Sequence, residues 1–227
     1  MAAADRGTRP PLAAFTRAER RLIHKLRTPA AVQRFLNDLP YNTEPWGATL
    51  RSFRGVVRHG TAHCYEAALA AAVILEQHGY PPLVLSFESI DQLDHVLFVW
   101  RTPAGWGSIG RSRDPGLHGR KPVFATPRAL ALSYVEPYVD YTGRITGYTV
   151  ADLRDLGDYD WRLADHNVWK AERFLLEMPH RRIKSSDRRF RELRRRYREY
   201  RRTHDDRKPI YYRRMDRWTP IPASFRK

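Results

Sequence analysis

The chain has 227 residues, 41 Lys and Arg against 25 Asp and Glu, a formal net charge of +16, and one cysteine. That length buries a core of ordinary size, and a single thiol excludes a disulfide within the chain. With no apolar stretch of signal length at the N-terminus, a cytoplasmic protein is expected.

Residues 1–15 carry Pro10-Pro11 and few apolar side chains, so a disordered start is expected. Thr16 and Glu19 form a capping-box pattern that opens a helix through Leu22, Ile23 and Leu26. Thr28-Pro29 caps a second helix with Val32, Phe35, Leu36 and Leu39 on one face. The stretch Pro40–Gly47 is turn-rich, and Leu50–Arg58 reads equally as helix or extended chain. Behind Gly60-Thr61, Cys64 opens a segment that is apolar almost all round, the mark of a helix buried inside a domain. Its apolar run of about ten residues is far too short to span a bilayer. Gly79 and Pro81-Pro82 end it.

Leu83–Phe87 and His95–Trp100 read as strands apolar on both faces and therefore central, and a turn at Thr102–Gly105 leads into a returning strand, Trp106–Gly110. Arg111–Pro122 is expected to be a loop, Thr126–Tyr134 a capped helix, Ile145–Val150 a further strand, and residues 161–178 an amphipathic helix. From Ser185 a basic helix follows, then an irregular tail with Tyr211, Tyr212 and Trp218. Residues 171–227 hold 20 of the 41 Lys and Arg but 8 of the 25 Asp and Glu, so the basic character belongs to the C-terminal quarter. The chain shows no internal repeat, Gly-rich phosphate loop or CxxC pair.

Three pieces carry the functional reading. They are the approach Leu36–Tyr41 with Gly60–Cys64, a histidine about thirty residues after the cysteine in Asp94–Trp100, and the Gly-Trp hairpin that follows. Their order over roughly residues 30–115 resembles the transglutaminase-like superfamily of papain-like cysteine enzymes. The resemblance implies an α+β fold, with a nucleophile helix packed on an antiparallel sheet. It also implies acyl transfer or amide hydrolysis through a thioester, without metal or other cofactor. On this reading residues 16–155 form the catalytic domain and residues 156–227 a basic helical extension.

Cys64 is then the nucleophile and His95 its base and acid. The first turn of a helix stabilises a thiolate through its unpaired N–H groups, and an imidazolium partner lowers the thiol further. The family places an aspartate where this chain has Gly110, so the third member is sought at Asp114, in an Asp-Pro pair four residues later, with Ser108 and Ser112 as hydroxyl alternatives. Asp91 and Asp94 read as loop solubilisers or caps, and Glu66 as a charge complementing the helix dipole. A zinc site on His59, His63, Cys64 and His95 lacks a second cysteine or clustered carboxylate to complete it.

An amide- or peptide-containing substrate is expected, and hydrolysis is favoured over crosslinking because water needs no acceptor site of its own. The rival is an inactive module of the same fold that contacts an anionic partner, nucleic acid or phospholipid, through Arg191, Arg194, Arg195 and Arg198 of the basic helix. Phe190, Leu193, Tyr197 and Tyr200 make the narrow apolar stripe that would dock that helix on the parent domain.

Overall fold

A computed structural model describes residues 6–91, 95–204 and 214–225. Asp94, Tyr211 and Tyr212 lie outside the described residues. Four helices come first: α1 (Arg17–Lys25), α2 (Pro29–Asp38), α3 (Phe53–His59) and α4 (Cys64–Glu76). Side chains of Thr16, Thr28 and Ser52 accept N–H groups at the starts of α1, α2 and α3, each satisfying a donor the helix leaves open. The undecided stretch before the cysteine is therefore helical from Phe53. Gly60, at φ 65°, ends α3 in the left-handed conformation, and within four residues the chain starts α4.

A six-stranded sheet follows, built from β1 (Leu83–Ser89), β2 (Val96–Thr102), β3 (Gly105–Ile109), β4 (Arg120–Phe124), β5 (Ile145–Asp152) and β6 (Arg181–Arg182). Its order is β4-β3-β2-β1-β5-β6 and every pairing is antiparallel. β1 and β2 are central because both of their faces are covered. Val84, Val96, Phe98 and Trp100 meet the helices α1–α4. Leu85, Phe87, Leu97 and Val99 meet α5 (Pro127–Tyr138) through Leu130, Ala131 and Tyr134. The result is a mixed helix and antiparallel-sheet protein of the α+β class.

Every residue from Tyr65 to Glu76 is buried, so α4 is the axis of the core and Cys64 is the one residue of the helix that reaches the surface. Its C-terminal end carries a buried carboxylate where the dipole is already negative; the Arg162 guanidinium offsets this with two bonds of 2.8 Å to Glu76. Among the described residues no helix is long and apolar enough to cross a membrane.

The chain ends differ from expectation. Residues 6–15 are bound to the domain: Gly7 N–H donates to the Arg154 carbonyl at 2.8 Å, and Phe15 is buried against Phe53. Beyond residue 155 the chain stays in the same core, with Trp161, Val168 and Leu175 beneath α6 (Trp169–Glu177). α6 begins eight residues later than the pattern suggests. The Asp160 carboxylate accepts the N–H groups of Arg162 and Leu163 and turns the chain there. Arg120–Pro122, the end of the expected loop, belongs instead to the edge strand Arg120–Phe124, the position in a sheet that tolerates Pro122. The basic helix α7 (Asp187–His204) buries Leu193 and Tyr197, with Tyr197 edge-on to Tyr141 at 5.0 Å. Trp218 returns to the sheet and covers the buried Arg120 guanidinium at 4.4 Å, opposite Tyr134 at 4.0 Å.

Candidate active site

Cys64 is the first residue of α4 and His95 immediately precedes β2, so the sheet's central strand and the core helix bring the two together in one open cleft of about 870 Å3. Burial alone would push the Cys64 thiol up. Hydrogen bonds from His63 and His95, and the charges of both rings, outweigh burial and bring it down to about 5. The thiol therefore has two imidazoles, of which the sequence pattern marks one.

His63 caps α4, and the loop before α3 holds it. Its Nε2–H donates to the Thr49 carbonyl at 2.8 Å and lies 3.6 Å from Glu66 and 3.7 Å from Glu44. Burial pulls this ring down; the Cys64 sulfur, the Glu66 carboxylate and the Thr49 carbonyl raise it to about 9. Its Nδ1 faces the Tyr65 N–H at 3.3 Å. A neutral ring accepts that N–H, whereas an imidazolium gives its Nδ1 proton to the sulfur; the two uses exclude each other, and the raised value favours the second.

Glu66, expected to be a simple dipole charge, is wholly buried and organises this side. It accepts from Thr49 Oγ1 at 2.7 Å, Asn42 Nδ2 at 3.0 Å, and the backbone N–H groups of Arg51 and His63 at 3.2 Å. Glu44 sits at φ 56°, a strained conformation for a residue with a side chain, and its carboxylate accepts the Thr49 N–H at 2.7 Å. That turn aims the Thr49 carbonyl at His63.

His95 is held from the opposite side. Its Nε2–H donates to the Leu117 carbonyl at 2.9 Å, which leaves Nδ1 for the sulfur. The imidazole stacks parallel to Phe87 at 6.3 Å and touches Tyr134. The loop presenting Leu117 is fixed by buried polar groups. Gln33 of α2 bonds both the N–H and the carbonyl of Gly110, and Arg120 donates to the carbonyls of Gly116 and His118. His118, which burial pushes down to about 3 and so keeps neutral, bonds the Ser112 carbonyl.

The expected third members fall as follows. Asp114 lines the cleft, starts the turn Pro115–Leu117, and its carbonyl accepts the Leu117 N–H at 3.1 Å. Ser112 accepts the Asp114 N–H on its Oγ. Ser108 is buried away from His95, sharing a 2.6 Å hydrogen bond with the Tyr134 hydroxyl and accepting from Arg120 N–H. The group that meets His95 Nε2 is the Leu117 carbonyl. A Cβ at position 110 would lie 2.4 Å from Leu97 Cδ2 and 3.1 Å from that same carbonyl oxygen, so this packing has no room for a side chain where the family's aspartate would stand.

Tyr41 completes the thiol's surroundings. Burial, and then the Cys64 charge, push its hydroxyl up, so it keeps its proton beside the sulfur. Arg191, Arg194, Arg195 and Arg198 share one face of α7 with Arg202, outside the Cys64 cleft, and Arg195 pairs with Glu199 at 3.3 Å. Among the described residues no group of three or more His, Cys, Asp or Glu is arranged to hold a metal ion.

The class defined by fold and site is thus an α+β protein whose one thiol, at a helix start, lies between two imidazoles in an open cleft. No protein-family model matches the chain, and no curated protein sequence does. Among solved structures the chain is similar to LapG of Legionella pneumophila. The calcium-bound form shows 20% identity at a TM-score of 0.32, covering 43% of this chain and 66% of that one. Two further LapG structures, one EGTA-treated, show 16% and 15% identity at a TM-score of 0.36, each covering 66% of this chain and 88% and 90% of theirs.

Proposed function

We propose that this protein is a cysteine-dependent hydrolase of amide or peptide bonds, related in mechanism to the transglutaminase-like enzymes its sequence resembles. The observation that carries this reading is the placement of Cys64 at the first turn of α4 in one cleft with His63 and His95, whose hydrogen bonds bring the thiol down to about 5. At neutral pH it is a thiolate, the form that attacks a carbonyl.

In this reading Cys64 Sγ attacks the amide carbon. The oxyanion is met by the Cys64 backbone N–H at the start of α4 and by the Tyr41 hydroxyl. His95, kept in register by the Leu117 carbonyl and carrying on Nδ1 the proton it took from the Cys64 thiol, gives that proton to the departing nitrogen as the C–N bond breaks and the thioester forms. It then takes a proton from water, which attacks the thioester and releases the acid. His63 does not shuttle protons; as a cation it holds the thiolate between turnovers. Asp114 contributes negative charge at the cleft wall, felt by Tyr41, and the Leu117 carbonyl orients the His95 ring.

The test is intact-protein mass after mixing with p-nitrophenyl acetate. One acetyl group, removed by hydroxylamine and missing in Cys64→Ser, is the expected result, because the chain has a single cysteine. Its slow loss in wild type and persistence in His95→Ala would identify His95 as the water-activating group. No adduct, or one that survives Cys64→Ser, would contradict the proposal.

A further inference from the structure

Large apolar side chains left in water are unevenly placed. Of the eight exposed ones among the described residues, Tyr141, Trp169 and Leu176 line the cleft that holds Cys64. Trp46, 98% exposed, lies between the cleft-lining Glu44 and Ala48, and Ile90 precedes the cleft-lining Asp91. Single exposed apolar residues are ordinary, but three of eight lining one cleft with a nucleophile is the pattern of a binding surface.

The helix register shows that this is built. Trp169, Glu172, Leu175 and Leu176 of α6 all line the cleft, Trp169 and Leu176 as exposed side chains and Leu175, 2% exposed, as the floor that joins the cleft to the core. Tyr141 is fixed by its edge-on contact with the buried Tyr197 of α7. The cleft wall therefore sets these exposed apolar faces among charged side chains, including Glu44, Asp114, Glu172 and Arg201. A volume of about 870 Å3 exceeds what one side chain fills and leaves room for a short run of chain.

We infer that the cleft selects peptide substrates with a large apolar side chain close to the scissile bond, seated on Trp169, Leu176 and Tyr141. The inference rests on reading Cys64 as the amide-attacking thiol, yet binding can be tested apart from the chemistry. Full-length Cys64→Ala protein is titrated by calorimetry with capped octapeptides of Gly and Ser carrying one central Phe, Leu, Lys, Asp or Gly. The Phe and Leu peptides are expected to bind about tenfold more tightly than the Gly peptide. Trp169→Ala or Leu176→Ala in the same background should remove most of that advantage. Because both residues are about half exposed, their removal should leave the melting midpoint close to that of the parent. Equal or absent binding of all peptides, tightest binding of Lys or Asp, or an apolar preference that survives both variants would overturn the inference. Acetylation of Cys64 in the wild type is read separately, so a failed subsite and a failed nucleophile remain distinguishable.

Discussion

The two histidines beside Cys64 each donate Nε2–H to a backbone carbonyl, but their surroundings differ. Around His63 the partners are charged: Glu66 and Glu44 lie within 3.7 Å of its Nε2, which is bonded to the Thr49 carbonyl. Around His95 the ring's Nε2 partner is a neutral backbone carbonyl, from a loop fixed by Gln33 and Arg120, and the ring packs against Phe87 and Tyr134. A ring between carboxylates is stabilised as a cation and holds its proton. A ring on a carbonyl keeps its tautomer and orientation. On the proposed function the difference divides the labour at the thiol, with His63 supplying charge and His95 moving protons.

That division can be broken at four points. The largest effect is expected from His95→Ala, which should lower kcat/KM on any amide substrate about a thousandfold while the thiolate partner His63 remains; a loss no larger than that of His63→Gln would erase the distinction. Next is Gly110→Ala, which pushes a methyl into Leu97 and toward the Leu117 carbonyl. It should cost about 2 kcal/mol of stability in denaturant unfolding and loosen His95. Third, His63→Gln should raise the Cys64 thiol above its value of about 5, seen as a shifted thiolate absorbance at 240 nm against Cys64→Ser, with much of kcat retained.

The smallest effect is on pH stability. His63 is raised in the fold from 6.5 to about 9, so its contribution is fully present below about pH 6.5 and is lost as pH rises through about 9. The melting midpoint of wild type should exceed that of His63→Gln by about 2 °C at pH 6, and the two should converge above pH 9.

Much of this arrangement was legible in the sequence because it depends on local rules. Thr16, Thr28 and Thr126 cap the helices their positions announce, and the all-round apolar run after Cys64 is the buried helix. The doubly apolar strands are indeed central, being covered on both faces. What could not be read depends on groups or geometry without a side-chain signature. The partner of His95 Nε2 is a main-chain oxygen, and the one trace of it in the sequence is Gly110, a residue small enough to let that oxygen approach. His63 acquires its role from Thr49 and Glu44, whose placement depends on a positive φ that residue type does not announce. A signal did exist in Glu66, a carboxylate in the first turn of a largely apolar buried helix, where an unpartnered charge would be too costly to keep. The start of α6 was misplaced because Trp161 and Val168 are buried at helical spacing without being helical.

Whether Cys64 is a thiolate held by two imidazoles is read most directly from the rate of its alkylation by iodoacetamide from pH 4 to 10 in wild type, His95→Ala and His63→Gln. The wild-type rate should rise around pH 5 and stay level to about pH 9, and each variant should move that rise upward. A single rise near the ordinary thiol value of about 8.5, unmoved by either substitution, would mean an inert cysteine and would contradict the account.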